Sequence, residues 1–136
     1  MGTTNGSAAD SVAATYYDSQ DADQFYEQVW GGEDIHIGLY ATPDEAIATA
    51  SDRTVHALLE LADPLPQGGC VVDLGAGYGG ASRRLARWSE RPVHAINISA
   101  VENDRHRRLN VDAGLEQQIT VHDASLERVP VAAFSA

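Results

Sequence analysis

The spacing of apolar residues along this chain changes from a helical period to short continuous runs separated by further helical segments. Between residues 43 and 64, apolar side chains recur at the i, i+3, i+4, i+7 spacing of one helix face, at Val55, Leu58, Leu59 and Ala62. Short apolar runs with β-branched residues, typical of buried strands, follow at residues 70–74, 93–98 and 119–121. The pattern predicts the element order helix–β–α–β–α–β.

Capping residues set the expected ends of the helices. Thr42 has the residue type of an N-cap, with proline next and Glu45 three positions on, so the first helix is expected to open there and to end before Pro64. A second capping box, Ser99 to Glu102, opens a helix that is expected to stop at Gly114. The helix between the first two strands is expected at residue 80 to about residue 88.

Alternating strands and helices indicate an α/β fold with a parallel sheet and right-handed crossovers. A doubly wound domain has two βαβαβ halves, and this chain supplies the first, so we expect a truncated sheet. We divide the chain into a disordered N-terminus at residues 1–12, an aromatic segment at residues 13–42 and a partial domain at residues 43–136.

Four glycines follow the first predicted strand and indicate a ligand-binding turn. Gly75, Gly77 and Gly80 match G-x-G-x-x-G, a weak dinucleotide signature whose glycines let a ligand approach bare backbone. Asp73 favours another ligand, because a carboxylate beside the turn would repel a pyrophosphate. S-adenosylmethionine carries an ammonium and a sulfonium there and suits the acid better.

The ends of the second and third strands carry further polar candidates. Asn97 stands where an acidic residue usually binds the ribose hydroxyls, and Ser99 adds a hydroxyl. The alternative is that both residues only cap the following helix. At the third strand, Asp123 could accept the adenine amino group while the Ala124 N–H meets a ring nitrogen; an ordinary turn aspartate is the alternative.

Six of the nine aromatic residues lie between residues 16 and 40. Aromatic faces stabilise cations such as a sulfonium, so this segment could cover a ligand; packing of an N-terminal helix onto the sheet is the alternative. His36 has no His or Cys partner at ligand spacing, so no metal site is expected.

The charge of the chain narrows the classes of partner. Twenty acidic residues against nine basic ones, all arginine, give a net charge of −11, which argues against nucleic-acid binding. The one basic cluster, residues 105–108, reads as the solvent-facing side of a helix. An acidic surface without lysine suits saline solution. With a single cysteine, no membrane-length apolar segment and no signal peptide, we expect a cytoplasmic protein without a disulfide.

Together these stretches resemble class I S-adenosylmethionine-dependent methyltransferases, most closely the sarcosine/dimethylglycine and glycine/sarcosine N-methyltransferases that make glycine betaine. The matching stretches are residues 16–18, 25–26, 29–40, 71–80 and 97–103. The glycine motif is shared by many methyltransferases, whereas Trp-Gly-Gly-Glu-Asp-Ile-His at residues 30–36 is much narrower.

The resemblance implies a Rossmann-like fold and a role for each matching position. Asp73 with Gly75, Ala76 and Gly77 would hold the methionyl end of S-adenosylmethionine. Asn97, Ile98 and Ser99 would hold the ribose side, and Asp123 and Ala124 the adenine. Four residues would cover the sulfonium and form the catalytic set, namely Tyr17, Trp30, His36 and Tyr40.

The resemblance also implies an amine acceptor, sarcosine or dimethylglycine, and a product that is an osmolyte of saline cells. Family members continue into a fourth strand and an acceptor-binding domain, so we expect this fragment to be inactive alone. A methyltransferase with another small-molecule acceptor and a non-catalytic cofactor-binding fragment are the alternatives. Neither the oligomeric state nor the acceptor contacts follow from the sequence.

Overall fold

The computed structural model describes residues 8–19, 25, 28, 33–34, 36–129 and 131–134. Helices and strands alternate along most of this part of the chain. Their bounds are α1 Ala8–Tyr17, α2 Ile47–Ala62, β1 Val71–Leu74, α3 Gly80–Ser89, β2 Val93–Asn97, α4 Ala100–Asp112 and β3 Ile119–Asp123. Short 3₁₀ helices follow at Leu126–Arg128 and Val131–Phe134. Among these described residues, the helices are too short or too polar to cross a membrane.

The three strands form one parallel sheet in the order β1-β2-β3, which confirms the predicted α/β fold. Val71 pairs with Val93, and Asn97 at the end of β2 pairs with Asp123 at the end of β3. Because the strands are parallel, their carboxyl ends meet at one edge of the sheet. The strand ends at this edge and the loops that leave it carry the residues predicted to bind the cofactor.

One face of the sheet carries the core, and the other is partly open. Ala86 of α3 packs on Val93, Ala95 and Ile119, all buried. Small alanines on both sides let the helix lie close to the strands. On the opposite face Leu74 is 57% exposed. No strand among the described residues pairs with the second edge of β1.

The capping box predicted at Thr42 is wrong, and α2 begins at Ile47. The Glu45 carboxylate instead accepts from the Ala41 N–H (3.0 Å) and pairs with Arg53 through two hydrogen bonds (2.5 and 2.6 Å). Arg53 therefore draws Glu45 away from the helix start. The predicted apolar face is also rotated, since Leu58 is 60% exposed.

Ser99 is the N-cap of α4, as predicted, and its hydroxyl accepts from the Glu102 N–H (3.2 Å). The helix ends at Asp112, with Gly114 in the left-handed conformation two residues later. The predicted solvent-facing cluster at residues 105–108 is wrong for His106, which is fully buried.

Within the N-terminal segment that is expected to be disordered, residues 1–12, the structure has α1 starting at Ala8. Alanines with high helix propensity favour this helix, and the Ser11 and Thr15 hydroxyls donate to backbone carbonyls one turn earlier, at Ala8 and Ser11. Residues 1–7 lie outside the described residues.

Candidate functional site

The glycine turn after β1 lies across the end of β2 and leaves its outer side open. The N–H groups of Gly75 and Ala76 both donate to the Ile96 carbonyl, at 2.8 and 3.1 Å. Gly75 adopts a φ of +77°, and a Cβ added there would meet no atom within 4 Å. Glycine therefore provides both the turn conformation and bare backbone facing open space.

A first cavity of about 390 Å³ opens where the loops after all three strands meet. This volume falls in the range of roughly 300–1,000 Å³ typical of small-molecule sites. Five of the predicted site residues line it, namely Tyr17, Gly75, Asn97, Ile98 and Ala124. The structure thus brings together residues that stand far apart in the sequence.

Glu102 also lines the first cavity, although the sequence predicts only a capping role for it. The Asn97 side-chain N–H donates to Glu102 Oε2 (2.8 Å), so the amide oxygen of Asn97 remains as its acceptor. The Glu102 carboxylate, at the first turn of α4, thus fixes the orientation of the Asn97 side chain. The capping box from Ser99 to Glu102 is the sequence feature that marks this residue, but a capping box by itself indicates only the start of a helix.

A second cavity of about 470 Å³ lies on the other side of the turn and has an acidic end. Asp73, Gly75 and Ala76 line it together with Asp34 and His36. Burial raises the pKa of Asp73; the nearby Asp34 carboxylate adds to this effect, and the hydrogen bond from the Ser82 hydroxyl (2.6 Å) opposes it. The Asp73 carboxylate, with little access to water, favours a cationic partner.

Glu33 and Asp34 are held against the start of α3. The Gly80 N–H donates to the Glu33 carbonyl (3.0 Å), and a Cβ at Gly80 would overlap the Asp34 carboxylate. Asp34 pairs with Arg84 (2.8 Å), and its other oxygen lies 3.7 Å from Nε2 of His36. These contacts position His36 at the second cavity.

His106 lies behind the turn, where its ring is in contact with Gly79 and would overlap a Cβ there. Among the described residues, neither ring nitrogen of His106 has a hydrogen-bond partner. Burial, together with the positive charges of Arg83 and Arg107, lowers the pKa of His106 to about 4. The imidazole is therefore neutral near neutral pH.

Several predicted residues have other partners or lie elsewhere. Ser99 is fully buried and donates to the Asp18 carboxylate (2.6 Å). The Asp123 carboxylate is bound by Arg107 (2.6 Å) and Asn103 (2.8 Å), and neither Ser99 nor Asp123 lines a cavity described above. Burial raises the pKa of Asp123, but these two hydrogen bonds outweigh it and hold that pKa below its usual value.

The Ala124 N–H donates to the Asn97 carbonyl (3.1 Å), because the pairing of β2 and β3 continues past the strand ends. The structure thus gives this N–H a partner other than the predicted adenine nitrogen. Tyr40 is 47% exposed and, like Gly77, lies outside both cavity walls. Trp30 lies outside the described residues. Within the described part of the chain, no three His, Cys, Asp or Glu side chains form a group that could hold a metal ion.

Comparison with known proteins gives close relatives of one kind. The chain is 95% identical over all of its 136 residues to dimethylglycine N-methyltransferase of Parasynechococcus marenigrum (strain WH8102), covering 49% of that protein. It is 47% identical over 127 residues to sarcosine/dimethylglycine N-methyltransferase of Aphanothece halophytica, covering 93% of this chain and 46% of that protein. No protein-family model matches.

A solved structure from Galdieria sulphuraria, described as a sarcosine dimethylglycine methyltransferase, matches with a TM-score of 0.70 and 42% identity. The match covers 82% of this chain and 44% of that one. The chain thus spans about half the length of the relatives that it matches. By its fold and its sequence, the chain matches part of the class I S-adenosylmethionine-dependent methyltransferases named for sarcosine and dimethylglycine.

Proposed function

We propose that this chain provides the S-adenosylmethionine-binding part of an N-methyltransferase that methylates sarcosine and dimethylglycine. The observation that carries the proposal is the first cavity, where bare backbone at Gly75 meets residues from the ends of β2 and β3. The close relatives supply the substrate class, since they are named for sarcosine or dimethylglycine. The product of complete methylation would be glycine betaine, an osmolyte that suits the acidic composition.

The first cavity fits the nucleoside part of the cofactor. A ribose diol needs hydrogen-bond acceptors, and the Asn97 amide oxygen and the Glu102 carboxylate provide them at the end of β2. The adenine would lie between the turn and the loop after β3, where Ala124 and Leu126 supply apolar surface. We further propose that Ile98, Ser99 and Asp123 contribute contacts to the nucleoside.

The second cavity fits the methionyl part. The α-ammonium of that part is a cation, and Asp73 offers a carboxylate whose charge the Ser82 hydroxyl supports. The cofactor supplies a methyl group made electrophilic by its sulfonium. The chain's contribution is to orient that group, and well-oriented reactants can gain about 7–11 kcal/mol of the barrier.

We propose that Tyr17, Trp30, His36 and Tyr40 cover the sulfonium, as the family resemblance implies. Tyr17 at the first cavity and His36 at the second support this for two of the four. Aromatic faces and the imidazole would stabilise the positive charge as it moves from sulfur to the amine.

Titration calorimetry of the 136-residue chain tests the cofactor assignment. We expect S-adenosylmethionine and S-adenosylhomocysteine to bind and NADH not to bind, because the acidic end of the second cavity disfavours a pyrophosphate. Asp73→Asn should weaken binding, whereas Asp44→Asn, which makes the same change at an exposed position, should not. Binding of NADH in preference to S-adenosylmethionine would contradict the proposal.

A chimera in which this chain replaces the matching half of the Parasynechococcus marenigrum enzyme tests the substrate assignment. Transfer of a labelled methyl group to sarcosine and dimethylglycine is the expected result. If the chimera left both amines unmodified and methylated a phenol or another acceptor, the substrate assignment would be wrong and the cofactor assignment would stand.

A further inference from the structure

Asp18 joins two parts of the chain that are separated by about eighty residues. It lies in the turn after α1, and its carboxylate accepts from the Ser99 hydroxyl (2.6 Å) and from the Val101 N–H (3.4 Å). These two donors lie at the first turn of α4, where the helix dipole also favours a negative charge. The end of α1 is thus attached to the helix that carries Glu102.

Much of α1 is exposed in the described part of the chain. Val12 is 71% exposed and Tyr16 is 56% exposed, so one side of the helix faces solvent. Its inner side places Ala13 and Tyr17 at the wall of the first cavity. The hydrogen bonds of Asp18 tie the end of α1 directly to the first turn of α4.

We infer that Asp18 is a positioning residue that latches α1 over the first cavity and thereby retains the cofactor. The inference rests on the proposed function, because the cavity must hold S-adenosylmethionine for the latch to act on it. A ligand between α1 and the sheet would contact both, so cofactor binding and docking of α1 stabilise each other. Asp18 itself lies outside the cavity wall, so its effect on the ligand is transmitted through α1.

The test measures S-adenosylmethionine affinity of the 136-residue chain with Asp18→Ala and Asp18→Asn. Loss of a hydrogen bond to a charged group predicts about 10- to 100-fold weaker binding for Asp18→Ala and a smaller loss for Asp18→Asn. Asp44→Asn serves as the matched control. Combined with Ser99→Ala, Asp18→Ala should weaken binding by less than the product of the two single effects, because the residues share one hydrogen bond.

Chymotrypsin cleavage after Tyr16 and Tyr17 provides a second measurement that a purely structural role would not change. Saturating S-adenosylmethionine should protect these sites in the wild-type chain and protect them much less in Asp18→Ala. Circular dichroism verifies that each variant is folded, and Asp18→Asn keeps the shape of the side chain if Asp18→Ala unfolds.

The outcomes separate the latch from the proposed function. If the folded Asp18→Ala and Asp18→Asn variants bind S-adenosylmethionine as tightly as the wild-type chain, the latch is refuted and the cofactor assignment stands. Equal protection of the chymotrypsin sites in wild type and variants does the same. A wild-type chain that does not bind S-adenosylmethionine overturns the cofactor assignment and the latch together.

Discussion

The buried imidazole of His106 makes the stability of this protein sensitive to mild acid. Its pKa is about 4 in the folded protein against an ordinary value of 6.5, because burial and the charges of Arg83 and Arg107 oppose protonation. Between these pH values the unfolded chain binds a proton that the folded protein does not. The free energy of unfolding therefore falls as the pH decreases through this interval.

Integrated from about pH 8 to pH 4, this difference in proton binding removes about 3 kcal/mol. Small domains are stable by only about 5–15 kcal/mol, so this one residue has a large share. The sign is opposite to that of a histidine paired with a carboxylate, whose protonation would stabilise the fold. Acid would act first behind the glycine turn, where the ring contacts Gly79.

Urea denaturation at several pH values, followed by circular dichroism, measures the effect. His106→Gln removes the titrating group, so its unfolding free energy should fall by about 3 kcal/mol less than that of wild type over the same pH range. His106→Leu serves if the glutamine variant is too unstable, and His56→Gln controls for removing an exposed imidazole. Parallel curves for wild type and both His106 variants would refute the reasoning, since carboxylates titrate equally in all of them.

Three further predictions concern the turn and the two cavities. Gly79→Ala and Gly69→Ala both place alanine at a positive φ, which costs about 1–2 kcal/mol. Only the Gly79 variant drives a methyl group into His106. Urea denaturation should therefore show a clearly larger decrease in the free energy of unfolding for Gly79→Ala. Acidification should weaken the binding of S-adenosylmethionine, because protonated Asp73 cannot pair with the ammonium. Burial raises the pKa of Asp73, so this loss should begin at a higher pH than it would for an exposed aspartate. Calorimetry of Asp73→Asn should show no such pH dependence. Glu102→Gln should weaken the binding of both S-adenosylmethionine and methylthioadenosine, which has the ribose but no amino-acid part. Asp73→Asn should weaken the binding of S-adenosylmethionine only. Equal losses of affinity for the two ligands in both variants would contradict the division of the site.

The strands were predictable because their apolar runs are set by burial within a few residues, and the parallel sheet then followed from the alternation of strands and helices. The start of α2 was not predictable in this way. Arg53, eight residues after Glu45, removes that carboxylate from the expected cap, and such a competitor is visible only once the helix has placed it.

The candidate site shows the same division. Gly75 and Asn97, which both line the first cavity, could be proposed from the sequence because their positions relative to the strand ends carry the signal. His106 was assigned to the solvent-facing side from its arginine neighbours, yet the packing of α4 against the turn buries it completely. Arg107 and Asp123 also meet only through this packing, so their ion pair could not be read from either sequence segment.

Within the described part of the chain no strand pairs with the second edge of β1, and this has a consequence for how the 136-residue chain behaves in solution. Exposed strand edges are templates for pairing with another chain, and the adjoining sheet face shows apolar surface at Leu74. At low ionic strength a net charge of −11 keeps copies of the chain apart. In molar salt the screening length falls to about 3 Å, so that repulsion is lost while the hydrophobic attraction remains. We expect sedimentation velocity to show self-association that increases with salt concentration. Whether the chain stays monomeric at high salt would then depend on what covers this edge.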